Sequence, residues 1–373
     1  MEGEVSNLID KVINDLEVKM NRNLNGDFNC IPFAYPRFRS EFPGLEKASV
    51  LTITSFTKGA KTQFASHAFI FEPLLEAYNN KKLKLRYLYF PLEETPERIT
   101  QRFISFLLFK TGKCRISPRD LRSVDPAKPL PREILEHIKN DDYFKNILAF
   151  FEKTVLFFNV SNPTGIYKVC KQYAEENGNV ITKKVDITDE FGNKSEISIF
   201  DSYKQNDEDE FVIPFIDTLN LVDTEKGLNK KQAIDKASEY CCKFLRNKYG
   251  MSPILIQQQS FEVEDNNSFK LNRFTPSVHT LGDSKYTGRD SIIVLGLFSP
   301  ARFGLEEWKG YDIRKFGDSI RFLDVLVNRD GEMGGTIALY FDGATCTFKE
   351  LPKPDEKDKL KKIYDYIENL KRQ

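Results

Sequence analysis

The chain has 373 residues, and its 55 Lys plus Arg balance 55 Asp plus Glu. Zero net charge excludes a wholesale basic surface for gripping nucleic acid, so any such contact must be local, on one loop set or channel. With 40% hydrophobic and 29% charged residues, the composition is that of a globular protein able to bury a large core, and 31 Phe against a single Trp point to phenylalanine-rich packing.

Cys30, Cys114, Cys170, Cys241, Cys242 and Cys346 include no Cys-x-x-Cys pair, and His occurs at 67, 137 and 279, so a structural zinc site is not expected. Scattered thiols fit a reducing compartment. The start MEGEVSNLID is acidic and lacks the apolar core of a secretory signal. No apolar run approaches the roughly 18 residues that span a bilayer. The expectation is a cytoplasmic protein with no membrane partner.

In chain order, residues 4–24 read as an amphipathic helix, with Leu8, Val12, Leu16 and Met20 every four residues and a break at Asn25-Gly26-Asp27. It packs on its own domain or docks on a neighbouring subunit; spacing does not separate the two. Residues 30–47 read as an irregular, Pro- and Phe-rich lead-in. An apolar strand at 50–53, a polar turn and a helix from about Thr62 follow. Residues 83–90 form a second strand, and Thr95-Pro96-Glu97 starts a helix, with a capping hydroxyl and Pro at its first position. Residues 111–150 suggest short helices. A strand at 155–160 leads into a helix opened by Asn162-Pro163. Residues 180–209 read as an insertion, a hairpin turning at Gly192-Asn193 and ending in QNDEDE. Then come a strand at 211–216, a helix at 230–247 closed by Gly250, and strands at 253–257, 291–298 and 321–327. The last pairs through a Gly-rich turn with 336–341, and 355–373 reads as a charged helix. Alternating strands and helices imply an α/β fold: a mostly parallel sheet covered on both faces, with an antiparallel hairpin at one edge.

Strand, polar loop, Lys-Thr, helix is the arrangement of a P-loop, in which backbone N–H groups cradle phosphates, Lys neutralises them and the hydroxyl holds Mg²⁺. Here it reads Ser55, Phe56, Thr57, Lys58, Gly59, Ala60, Lys61, Thr62. Ser55 and Ala60 stand where the motif G-x-x-x-x-G-K-[ST] has glycines. By itself the match is weak, since a Lys-Thr pair at a helix start is common. Two acids add weight. Glu93 follows the second strand, where a base could polarise an attacking water, and Asp217 ends an apolar strand, as a magnesium-orienting carboxylate does. Both fall at strand C-termini, where such sheets bind ligands.

With these motifs in this order, the chain resembles the motor domain of DnaB-type hexameric replicative helicases, within the RecA-like P-loop ATPases. The resemblance runs over 28–350. YFPLEETPERITQRFISF resembles the strand–acid–helix segment, with Glu93 at the catalytic glutamate and Arg102 at a family arginine. FIDTLNLV places Asp217. ILIQQQSF resembles the strand whose terminal polar residue senses the γ-phosphate, here Gln258. SKYTGRDSIIVLGLFSPARFG and VNRDGEMGGTIALYFDGATCTFKEL resemble the closing strands and hairpin. The resemblance implies a RecA-like fold, ATP and Mg²⁺ as cofactors, with Thr62 and Asp217 at the metal, and Arg329 reaching into a neighbouring subunit's site. Val327 stands where the family carries a second basic residue, so trans-activation would rest on Arg329.

It also implies a homo-hexamer on single-stranded DNA, gripped through 262–283 and 284–290 by Lys270, Arg273, Lys285 and Arg289, with Asn272 and Tyr286 nearby and a primase or loader as partner. His279 reads as a surface residue. The division expected is an N-terminal helix and linker at 1–27, the motor at 28–350 with its insertion at 180–209, and a C-terminal helix at 351–373. No domain precedes the motor in this sequence, as in phage-type versions of the family. Residues 301–318, with Trp308, have no role in the resemblance. The competing readings are a recombinase or regulatory ATPase on the same core, and a silent structural protein that kept the fold and lost its glycines.

Overall fold

The computed structural model describes residues 2–39, 42–188, 191, 194–260, 274–331 and 334–372. The turn expected at Gly192-Asn193, and Lys270, Asn272 and Arg273, lie outside them. Within them the centre is a nine-stranded sheet. Its strands are β1 (Leu51–Ser55), β2 (Lys84–Pro91), β3 (Val155–Phe157), β4 (Glu210–Asp217), β5 (Ile254–Gln258), β6 (Ile293–Phe298), β7 (Ile320–Asn328), β8 (Thr336–Asp342) and β9 (Thr347–Glu350), in the spatial order β9-β8-β7-β6-β1-β5-β4-β2-β3. From β6 to β3 the pairing is parallel. From β6 to β9 it is antiparallel. The last strand, β9, is too short to announce itself in the sequence.

Side chains alternate across the sheet, as a period of two requires. Leu85, Tyr87 and Tyr89 of β2 and Phe211, Ile213 and Phe215 of β4 enter one apolar core. Leu88, Phe90, Val212 and Ile216 enter the core on the other face. Helix α1 (Glu2–Leu24) precedes the sheet. The first core is covered by α2, at 61–79, by α3 (Pro96–Lys110) and by α4 (Asp142–Thr154). The second is covered by α5 (Pro163–Glu176) and by α6, at 230–249. Both α2 and α6 contain a π turn, His67–Phe71 in the first and Tyr240–Arg246 in the second. Gly250 closes α6 at φ 64°, as expected of a left-handed cap. A third core, with Phe298, Phe316 and Phe322, joins the antiparallel edge to the C-terminal helix α7 (Lys357–Arg372). The segment 301–318 folds over that edge, and Trp308 packs 5.3 Å from Phe298.

Two helix starts differ. Asn162 caps α5 by accepting from the Gly165 N–H at 2.7 Å. Thr95 precedes α3 in extended conformation, yet its hydroxyl makes no backbone cap. It bonds the Glu97 carboxylate instead and holds that acid below its usual range.

The insertion is a hairpin, Gly178–Thr188 against Lys194–Gln205, standing off the domain. Its base is tied down where Tyr203 donates to the Ala174 carbonyl at 3.0 Å. The described apolar residues of α1 are in solvent, with Leu8 62% and Leu16 61% exposed. Near the C-terminal end of that helix Arg22 binds Asp209 and donates to the Phe28 carbonyl at 2.8 Å.

Candidate functional site

Strand register decides what meets at the C-terminal edge of the parallel sheet. Ser55 of β1 pairs with Gln258 of β5. Pro91 of β2 pairs with Asp217 of β4. The phosphate loop, Gln258, Asp217 and the turn carrying Glu93 therefore share one edge, outside the strand ends where α/β sheets bind ligands.

The loop leaves β1 at Ser55, which is fully buried and whose hydroxyl bonds the Phe56 carbonyl at 2.9 Å. Of the loop residues, Lys58 and Ala60 are left-handed, at φ 59° and 69°. Gly59 is required for space, because a Cβ there would lie 2.6 Å from Ser55 Oγ and 2.9 Å from the Phe56 carbonyl. Phe56 packs edge-on against Phe303 at 5.3 Å.

Helix α2 begins at Lys61, which is 7% exposed and has no hydrogen bond or ion pair among the described residues. Its ammonium group is available to a bound anion. One residue on, Thr62 Oγ1 donates to Asp217 Oδ1 at 2.9 Å, and the Tyr89 hydroxyl donates to Asp217 Oδ2 at 3.0 Å. Asp217 is 1% exposed. Burial pushes its carboxyl up to about 6, against the hydrogen bonds from Thr62 and Tyr89; the Glu93 charge adds to the rise and Lys61 opposes it. A hydroxyl and a carboxylate in contact beside that lysine fit a hard divalent cation with oxygen ligands. Thr62 and Asp217 are the residues that could hold it.

The Asp217 carbonyl accepts from the Leu92 N–H at 2.6 Å and the Glu93 N–H at 3.2 Å, which fixes the turn after β2. The two acids of that turn differ. Glu94 is ion-paired with Arg102 of α3. Glu93 is exposed, and its carboxylate has no partner among the described residues. Across the edge, the Gln258 amide donates to the Thr57 hydroxyl of the phosphate loop. Its neighbours serve the scaffold: buried Gln257 donates to the Gly282 and Ser284 carbonyls, and Gln259 to Thr54 Oγ1 at 2.8 Å.

The other expected residues lie apart. Arg329 follows β7, whose Asn328 pairs with Ile293 at the opposite end of the sheet. The length of β1, roughly 15 Å at 3.3 Å per residue, separates that end from the phosphate loop. Arg329 donates to the Ser291 carbonyl at 3.0 Å and to the Arg289 carbonyl. It therefore does not reach its own loop. Lys285 is exposed, and Arg289 lies over the ring of exposed Tyr286 at 4.1 Å on the short helix Tyr286–Asp290. His279 is exposed, as expected.

Sequence reasoning missed Tyr89 and Arg321. Arg321 is 1% exposed, and its Nε donates to the Gly59 carbonyl at 3.1 Å. A single Arg inside the apolar run IRFLDVLV was the available signal, since a charge in such a strand needs buried partners.

No protein-family model matches the chain, and no curated protein does. Solved structures do. One, the ATPase domain of another protein, superposes with a TM-score of 0.61 at 15% identity, over 92% of this chain and 99% of that one. A DnaB-like replicative helicase, described together with its interactions with primase, superposes at 0.62 and 15% identity, over 92% of this chain and 67% of that one. Among the described residues, no helix is long and apolar enough to cross a membrane. With its nine-stranded, mostly parallel sheet and antiparallel edge, the chain has the RecA-like fold of a DnaB-type helicase ATPase domain.

Proposed function

We propose that the protein is an ATP-hydrolysing motor that acts on single-stranded DNA as a homo-hexameric ring, with each ATP site shared between two subunits. The observation that carries this is the Thr62–Asp217 contact beside the unpaired Lys61, at the strand edge where Gln258 is bonded to the phosphate loop. Loop N–H groups and the Lys61 ammonium bind the phosphates. Thr62 and Asp217 hold Mg²⁺, which when bound offsets charge on the phosphates. Glu93, unlike its neighbour Glu94, has a carboxylate available to orient and deprotonate water. Gln258 links the loop to β5, so occupancy of the outer phosphate position is felt at the strand that leads to 260–285.

Arg329 acts in trans. Its place at the far end of the sheet keeps it from its own loop and leaves it for a neighbour's. Of the two readings of the N-terminal helix, the solvent-exposed row Leu8, Val12, Leu16 and Met20 favours docking on another subunit. Lys285 and Arg289 contribute to a DNA channel in which a few cations per subunit suffice, reconciling strand binding with zero net charge. Lys270 and Arg273 complete that set, and a primase or loader is a further partner in this reading.

A steady-state ATPase assay at low salt, with and without single-stranded DNA, tests it. Hydrolysis stimulated by DNA is expected; hydrolysis indifferent to DNA would remove the translocase reading. Electron microscopy with ATP separates the alternatives, closed rings for the helicase and open filaments for a recombinase. Absence of any nucleotide-dependent thermal shift would leave the silent structural protein.

A further inference from the structure

Arg321 is the bulkiest fully buried side chain among the described residues. Burying a guanidinium is costly unless its N–H groups find acceptors. Nη1 donates to the Asp318 and Ile320 carbonyls at 2.7 and 2.9 Å, and Nη2 pairs with the Asp318 carboxylate at 3.0 Å. The guanidinium lies over the Phe341 ring at 4.8 Å. These partners belong to the turn before β7, to its first residue and to β8. The Nε bond is the one that crosses to the phosphate loop, reaching the Gly59 carbonyl at 3.1 Å.

That carbonyl belongs to the peptide joining Gly59 to Ala60. The unit is planar and trans, so its C=O and N–H point in opposite directions. Fixing the carbonyl on Arg321 fixes the direction of the Ala60 N–H. Ala60 has φ 69° and ψ 28°, the left-handed conformation, immediately before Lys61. Glycine adopts that conformation freely, and a residue with a Cβ resists it. Ala60 also stands where the phosphate-loop motif calls for glycine. An otherwise costly buried cation therefore grips the peptide that leads into Ala60, the left-handed one of the two positions that lack a motif glycine.

We propose that Arg321 is a positioning residue that stands in for the missing glycine, holding the Gly59–Ala60 peptide so that the loop keeps its anion-binding shape. The inference rests on the nucleotide reading of the loop. It predicts a specific dependence: the loop needs Arg321 because residue 60 is alanine, and should need it much less if residue 60 is glycine.

The test compares the full chain with Arg321→Met, Arg321→Lys, Ala60→Gly and the double variant Arg321→Met/Ala60→Gly. Affinity is measured by anisotropy of a fluorescent ATP analogue with Mg²⁺, and amide hydrogen exchange is followed over 55–62 without nucleotide. Loss of a charge-assisted hydrogen bond predicts binding weaker by about tenfold or more in Arg321→Met, with a smaller loss in Arg321→Lys. In the double variant, Ala60→Gly should recover most of the affinity lost in Arg321→Met. Exchange over 55–62 should rise in Arg321→Met and fall back in the double variant.

A merely structural arginine would lower the melting temperature without this rescue. Arg321→Met affinity within about twofold of the parent, or a double variant no tighter than Arg321→Met, overturns the proposal. If the parent chain binds no nucleotide, it is the nucleotide reading that fails; the exchange data then decide the clamp, and unchanged exchange in Arg321→Met overturns it. Should Arg321→Met not fold, Arg321→Lys with and without Ala60→Gly carries the same comparison.

Discussion

At the C-terminal edge of the sheet Thr54, Asp217 and Gln259 are at most 2% exposed, and each is hydrogen-bonded within the chain. In the N-terminal helix and the insertion hairpin the situation is reversed: Leu8, Leu16, Ile187 and Ile197 are apolar and stand in solvent, and Phe191 is 88% exposed. The polar groups of that edge are satisfied within their own chain, while the apolar side chains of the appendages are left uncovered by it. A two-stranded ribbon is marginal alone, and a row of exposed apolar side chains marks a surface that another body covers. In the proposed function, the part of the site made in cis is built in, and the part given to Arg329 depends on assembly.

Substitutions at the finished edge should therefore act on nucleotide directly, and substitutions at the appendages on assembly. The largest effect is expected at Arg329, where Arg329→Ala should lower kcat by roughly a thousandfold while nucleotide affinity, measured by anisotropy, stays put, as for an arginine that serves the transition state. If both fall together, Arg329 serves the fold of its own hairpin. Next comes Lys61→Ala, which should weaken nucleotide binding about a hundredfold by removing the charge paired with phosphate. Activity surviving that change would mean the site is elsewhere.

Smaller again is Leu16→Glu, which should shift the oligomer towards monomer in sedimentation velocity with a melting temperature within about 2 °C of the parent. A large loss of melting temperature would place the helix on its own domain. The smallest effect belongs to a polar cluster behind α2. Burial pushes the Glu72 carboxyl up, but the hydrogen bond and charge of His67 and the adjoining Lys110 outweigh it and hold it at about 2; burial pushes the His67 imidazole itself down, so at neutral pH the charge beside Glu72 is that of Lys110. A depressed folded pKa stabilises above the unfolded value and is lost as pH falls through the folded one. Glu72→Gln should thus melt about 2 °C lower at pH 7, with the gap closing as pH falls from about 4.5 towards 2. A gap that does not change with pH would show that the Glu72 charge contributes nothing.

Much of this was legible in the sequence. The strands of the parallel half announce themselves as apolar runs; Lys61 was readable from the Lys-Thr pair at a helix start, Asp217 from the end of an apolar strand, and Gln258 from the resemblance. What was hidden has physical reasons. Left-handed Lys58 and Ala60 carry no compositional mark, because neither is the glycine that such a conformation usually selects. The π turns of α2 and α6 contain no glycine or proline that would mark them in the sequence. Tyr89 looks like any core aromatic; its hydroxyl acquires a role when register brings it to Asp217. Arg321 was visible as an anomaly in an apolar strand, but its partner, a backbone carbonyl far off in the chain, was not. The sequence did not show that Arg329 lies at the opposite end of the sheet from its own loop; the pairing of Asn328 with Ile293 does.

A shared site is tested most directly by mixing two inactive variants. Lys61→Ala subunits keep Arg329, and Arg329→Ala subunits keep Lys61, so a mixed ring contains some interfaces with both groups intact. Each variant alone should show almost no ATP hydrolysis, and co-assembly from unfolded or dissociated subunits should restore a measurable fraction of it. Mixtures no more active than their parts, under conditions in which sedimentation shows mixed assemblies, would contradict a site divided between subunits.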